Sequence, residues 1–162
     1  MGNGMMNKYD SYINKILMES DIDSEYLSTV ESGDMDTAQK MVDDAAQAGG
    51  YTIKAYHATD KNFNQFDIKR ARRGRRGVGF YFSETTPYSV RGGIIISAYL
   101  KNPEISQEPQ RIFKNSDKMT DREYVVRNPN QIKSVDPVTK DDQGQVIPLS
   151  KRFNPSTEDI RY

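Results

Sequence analysis

The chain contains no cysteine and one histidine, His57. Disulfides, thiol nucleophiles and cysteine-ligated zinc are therefore excluded, and a lone imidazole cannot build a histidine-rich metal site, so no metal is expected. Any chemistry must run on oxygen groups and a single ring. Net charge is missing as well: 23 Lys+Arg balance 23 Asp+Glu. That balance argues against a general nucleic-acid binder or an acidic tail and confines any electrostatic function to a local patch. No apolar run approaches the length of a membrane span, and residues 1–14 lack the charged-then-apolar order of a signal peptide. The expectation is a soluble, cytoplasmic protein with no membrane partner. A length of 162 residues suits one domain with a helical lead-in.

What is present falls into three parts, residues 1–50, 51–134 and 135–162. In the first, Tyr9, Tyr12, Ile13, Ile16 and Leu17 recur at helical spacing and predict an amphipathic helix over residues 7–18. Asp23 or Ser24 can cap a second helix carrying Tyr26, Leu27 and Val30, which Gly33 can end. Asp34 can cap a third, with Met35, Ala38, Met41, Val42 and Ala45 as packing residues and Gly49-Gly50 as its stop. This lead-in reads as scaffolding or a partner-docking segment.

The middle part reads as short strands, which makes the fold class α+β. Tyr51 to His57 alternates as a strand with Ala58-Thr59-Asp60 as its exit, placing His57 at a strand end. Phe63, Phe66 and Ile68 suit a short helix or an extended segment. Lys69 to Gly77 follows, with six positive charges in nine residues: Lys69, Arg70, Arg72, Arg73, Arg75 and Arg76. It reads either as a solvated loop or as a clamp for phosphate or a nucleic-acid backbone, because arginine forks match phosphate oxygens. Val78 to Ser83 is an aromatic strand in which Phe80 and Phe82 should face the core and Tyr81 the other side. Ile94 to Leu100 reads as a buried strand and Gln110 to Phe113 as a short edge strand. The strand around Glu123-Tyr124-Val125-Val126 sends Tyr124 and Val126 one way and Glu123 and Val125 the other, and can hold a carboxylate rigidly at its start. Residues 135–162 read as a polar tail with turns at Asp136-Pro137 and Gln143-Gly144, an apolar anchor at Val146 to Leu149, and a final stretch on the surface.

Tyr56-His57-Ala58-Thr59, Gly79-Phe80-Tyr81-Phe82-Ser83 and Glu123-Tyr124-Val125-Val126, in that order, resemble the His-Tyr-Glu signature of ADP-ribosyltransferases of the diphtheria-toxin and poly(ADP-ribose) polymerase class. The segments Gly33-Asp34 through Ala46, Asn128 through Ser134 with Asp136-Pro137-Val138-Thr139, and Asp159-Ile160-Arg161-Tyr162 look like the ADP-ribosyltransferase-like domain of polyvalent proteins from phages and mobile elements. The resemblance implies a split β-sheet core over residues 51–134 behind the helical lead-in, with residues 135–162 packed on it. It also implies a toxin-like transferase in a bacterial cytoplasm that consumes NAD, releases nicotinamide and passes ADP-ribose to a protein acceptor. On that resemblance, Glu123 hydrogen-bonds the nicotinamide ribose and stabilises an oxocarbenium-like state, as glycosidase carboxylates do. Tyr81 stacks on the positive nicotinamide ring, with Tyr88 as a second wall. His57 grips the adenosine ribose with Thr59 beside it, the Ala58 backbone faces the nicotinamide amide, and Ser83 completes the NAD-binding set.

Arg70, Arg72, Arg73, Arg75 and Arg76 would lie near a pyrophosphate or an acidic target, and Asp121 is a candidate for orienting an acceptor. The chain departs from the family at Ala58, where glycine is commoner, and in the short interval from Tyr81 to Glu123. Two other readings stand beside the transferase: a reduced, inactive relative serving as a structural or binding module, and a nucleic-acid-binding domain acting through the arginine loop.

Overall fold

The structure, a computed structural model, describes residues 7–86 and 93–162. Two helices, α1 (Lys8–Glu31) and α2 (Met35–Ala48), precede seven strands: β1 (Tyr51–Thr59), β2 (Arg72–Gly74), β3 (Gly77–Ser83), β4 (Ile94–Lys101), β5 (Glu104–Gln107), β6 (Glu123–Val126) and β7 (Ile132–Ser134). The architecture is α+β.

The first two expected helices are one. Asn7 caps α1 by accepting from the Asp10 amide at 2.8 Å, and no glycine or proline lies between Asn7 and Gly33. A residue that favours caps does not end a helix without such a breaker. Asp23 therefore stays helical, and its carboxylate instead accepts from the Ser150 amide at 2.8 Å and the Ser150 hydroxyl at 2.6 Å. The chain reverses at Gly33 (φ +80°), and Asp34 caps α2 through the Thr37 amide. Only the C-terminal part of α1 is packed: Tyr26 is buried and donates to the Pro137 carbonyl at 2.5 Å, while Tyr9, Tyr12, Ile16, Leu17 and Met18 are exposed.

The sheet runs β5-β6-β3-β1-β4-β7, with β2 forming a hairpin on β3 and every pairing antiparallel. Alternation of side chains gives it two apolar faces. On one, Ala55, Phe80, Phe82, Leu100, Tyr124 and Val126 form a core closed by Phe66, whose ring centroid lies 5.3 Å from that of Phe80 and 5.6 Å from that of Phe82. On the other, Tyr51 and Tyr99 meet Tyr26, Ala38, Val42 and Ala46 of the helices.

Several expectations change. β1 continues through Thr59, so His57 lies within the strand, opposite Ile96, rather than at its end. The edge strand next to β6 is β5, whereas Gln110 to Phe113 contributes only an isolated bridge between Arg111 and Met119. The final stretch is not a surface tail. Ile160 joins the core, its amide donates to the Asn64 carbonyl at 2.8 Å, and its own carbonyl accepts from the Ser134 amide at 2.9 Å. Nearby, the buried Lys133 ammonium donates to the Thr157 and Asp159 carbonyls at 2.8 and 3.2 Å. Burial pushes its pKa down to about 8, against the pull of Asp159.

The approach of β3 to β6 depends on Gly79. A Cβ there would lie 2.6 Å from Val125 Cγ2 and 2.9 Å from the Val126 carbonyl oxygen. Gly79→Ala is therefore expected to lower unfolding free energy by about 1–3 kcal/mol, the usual cost of overpacking, read as a reduced midpoint in urea denaturation at unchanged slope.

Candidate active site

The three strands bearing the sequence motifs are neighbours, in the order β6-β3-β1. β6 and β3 run together over four registered pairs, from Phe80 opposite Val126 to Ser83 opposite Glu123. β3 and β1 share a single registered pair, Tyr56 opposite Ser83. The sheet parts beyond that pair, and a cavity of about 700 Å³ opens there. Its lining includes His57, Ala58, Thr59, Tyr81, Ser83 and Glu123, together with Arg70 and Arg72. The register sets Glu123, Ser83 and Tyr56 in one row on one face, while His57 packs on the opposite face against Phe66 and Phe82, at 5.2 Å from each ring centroid. A gap between strands takes lining from both faces, which is how His57 and Glu123 come to share a cavity.

His57 Nδ1 lies 2.8 Å from the Tyr81 carbonyl oxygen. A carbonyl only accepts, so Nδ1 carries the proton, and Nε2 of the neutral ring is left as an acceptor. No side-chain nitrogen or oxygen among the described residues is both buried and unpartnered, so Nε2, with no hydrogen bond among them, is not wholly buried. Burial pulls the His57 pKa below its usual 6.5; the bond to the Tyr81 carbonyl opposes this, and the nearby Arg72 cation adds to it.

Glu123 is held from two sides. Ser106 on β5 donates its hydroxyl to Oε1 at 2.8 Å, and Arg72 Nη2 lies 3.6 Å from Oε2. Tyr81 is fixed at its tip: its hydroxyl donates to the Gly77 carbonyl at 2.6 Å and accepts from the Arg76 amide at 3.1 Å. The β2–β3 hairpin wraps that ring so closely that a Cβ on Gly74 would stand 2.4 Å from Tyr81 Cζ. Arg127 anchors the same hairpin from beneath, donating to the Val78 carbonyl at 2.6 Å and to the Arg76 carbonyl while pairing with Glu104 at 3.0 Å.

The expected arginine loop is thus a structured element. Arg70 ends a short 3-10 turn (Ile68–Arg70), Arg72 and Arg73 lie in β2, and Arg75 and Arg76 form the hairpin turn. The run Arg-Arg-Gly has no strand signal of its own, and the hairpin is imposed by Tyr81 and Arg127. Arg70 and Arg72 reach the cavity; Arg73, Arg75 and Arg76 are exposed and outside its lining. The Arg72 guanidinium lies 4.6 Å from the Tyr81 ring centroid, in cation–π range. Its side chain is 64% exposed, so the ring contact and the ion pair are each worth about 1 kcal/mol or less.

Asp121 lies outside β6, which begins at Glu123. The Asp121 carboxylate accepts from the Thr85 hydroxyl at 2.5 Å and does not line the cavity. Tyr88 lies outside the described residues. Sequence reasoning missed Ser106, since Glu104-Ile105-Ser106-Gln107 has one apolar residue and no strand alternation, and Arg127, whose role depends on the hairpin. Among the described residues no group of His, Asp and Glu side chains is placed to hold a metal ion, and no helix is long and apolar enough to cross a membrane. Comparison with protein-family models, curated proteins and solved structures finds no match.

With one histidine in the chain, a single imidazole Cε1–H resonance reports the site. Its NMR titration midpoint is expected below 6.5 in the folded protein. An unfolded His57 binds its proton first as pH falls, so stability should decline below about pH 6.5 and the decline should be smaller in His57→Gln.

Proposed function

We propose that the chain is an NAD-dependent mono-ADP-ribosyltransferase that transfers ADP-ribose to a protein and releases nicotinamide. The observation that supports this most is that Glu123, Tyr81 and His57, far apart in sequence, line one cavity on three adjacent strands. The nicotinamide–ribose bond breaks with its electron pair leaving on the ring nitrogen, so positive charge builds on the ribose. The Glu123 carboxylate, oriented by Ser106, would accept a hydrogen bond from a ribose hydroxyl and stabilise that charge. An acceptor nucleophile then bonds to the ribose carbon and loses its proton. Neutral His57, with Nε2 available as an acceptor, suits a ribose hydroxyl donor, and the Tyr81 ring suits a flat cation. Holding both ends of the dinucleotide at once supplies orientation, which is worth large rate factors. The cavity volume falls within the usual range for small-molecule sites.

Incubation with labelled NAD and cell lysate is expected to release nicotinamide and label protein. In Glu123→Gln both signals should fall by about two to three orders of magnitude, as when a preorganised electrostatic partner is removed, with circular dichroism unchanged. A wild-type protein that neither releases nicotinamide nor transfers label defeats the proposal.

A second reading, binding of a nucleic-acid backbone, is favoured by one observation: Arg73, Arg75 and Arg76 project from the hairpin outside the cavity. Neutralising about three phosphates gives a log affinity that falls with log salt at a slope of about −2 to −3. Under this reading Arg73→Ala/Arg75→Ala/Arg76→Ala flattens that slope and Glu123→Gln leaves it unchanged; a salt-independent or undetectable interaction with duplex and single-stranded DNA and RNA removes it.

A further inference from the structure

A flat guanidinium lies over Tyr81 and faces Glu123, and it belongs to the chain itself. The Arg72 guanidinium meets the ring at 4.6 Å and the carboxylate at 3.6 Å, and among the described residues it makes no hydrogen bond of its own. Around it the fixed parts are well tied. Tyr81 is held by Gly77 and Arg76, Glu123 by Ser106, and the hairpin backbone by Arg127. The Arg72 side chain, mostly exposed, can therefore leave while the ring and the carboxylate stay where they are. What remains is an aromatic face beside an anion, which recognises a planar cation.

We propose that Arg72 is the internal occupant of this place: its guanidinium stands in for a planar cationic ring, and a ligand carrying such a ring binds by displacing it. The ligand-free site is thus self-blocked through one side chain. The proposal rests on the transferase reading only in taking the nicotinamide ring of NAD as that planar cation; the contact itself is independent of turnover. It also reverses the part that sequence gives Arg72. A phosphate-holding arginine would add to affinity, whereas an occupant subtracts from it.

The test is calorimetric titration of the full chain with 1-methylnicotinamide, a planar cation that carries no ADP-ribose and cannot be turned over. Wild type, Arg72→Ala and Arg72→Gln are compared, each with Glu123→Gln added. Loss of two weak, exposed contacts predicts binding about five- to thirtyfold tighter in both single variants. The gain should be largely lost when Glu123→Gln is added, and uncharged nicotinamide should gain less than its methylated cation. Either variant alone suffices if the other is unstable. Unchanged or weaker binding in a folded Arg72 variant overturns the proposal, as does the absence of binding to any of the proteins. Release of nicotinamide from NAD by wild type, measured separately, decides the transferase reading, so tighter binding without turnover sinks that reading alone and turnover without tighter binding sinks this one alone.

Discussion

Strands β1 and β3 are joined by one residue pair, Tyr56 opposite Ser83, and by one side-chain bond, from His57 to the Tyr81 carbonyl. The cavity between them depends on that narrow joint. More backbone pairing would close the sheet and remove the cavity; with none, the two halves would lose their common register. His57 spans the gap by packing its ring on Phe66 and Phe82 while spending Nδ1 on the far strand. The imidazole is therefore both a core residue and a site residue, and the burial that makes it pack also keeps it uncharged.

Charge in the cavity is arranged by elements that differ in how firmly they are held. Glu123 enters from a four-residue strand paired on both sides, by β3 and β5, and Ser106 fixes one of its oxygens. Arg72 enters from a three-residue strand paired on one side only, and its side chain is mostly exposed. The anion is tied on both sides, and the cation opposite it is exposed and less firmly held. The hairpin backbone that carries Arg72 is tied by Arg127, which clamps the carbonyls of Arg76 and Val78.

How much was legible in the sequence follows from the range of the forces involved. Strands β1, β3, β4 and β6 could be read because they are short runs or alternations of aromatic and β-branched residues, a local property. So could the α2 cap at Asp34 and the turn at Gly33. Their order in the sheet could not, since register is set by contacts between distant residues. The same limit explains the errors. Asp23 and Ser24 have the chemistry of a cap but no breaker beside them, so α1 runs on. Ile160 sits in a polar stretch, and its burial comes from pairing with Asn64 and Ser134. β5 and β2 are strands only because β6 and β3 present edges to them. The candidate site shows the same division: His57, Tyr81 and Glu123 stood out by residue type and order, whereas Ser106 and the stacking of Arg72 belong to tertiary structure alone.

Lys133 has a consequence at the far end of the sheet. It lies on β7, the strand opposite β5 in the sheet order, and its ammonium points inward to the Thr157 and Asp159 carbonyls. A free sheet edge invites strands from other chains, and an inward charge on a very short edge strand is one of the ways natural sheets discourage that recruitment. Any intruding strand that shifted β7 by one residue would have to strip the ammonium of its carbonyls or carry it to the other face. The β7 side is in this way guarded against strand addition, with the Ile160 segment covering it further, whereas β5, with its exposed Glu104 and Ile105, and β2 are each paired with one strand only.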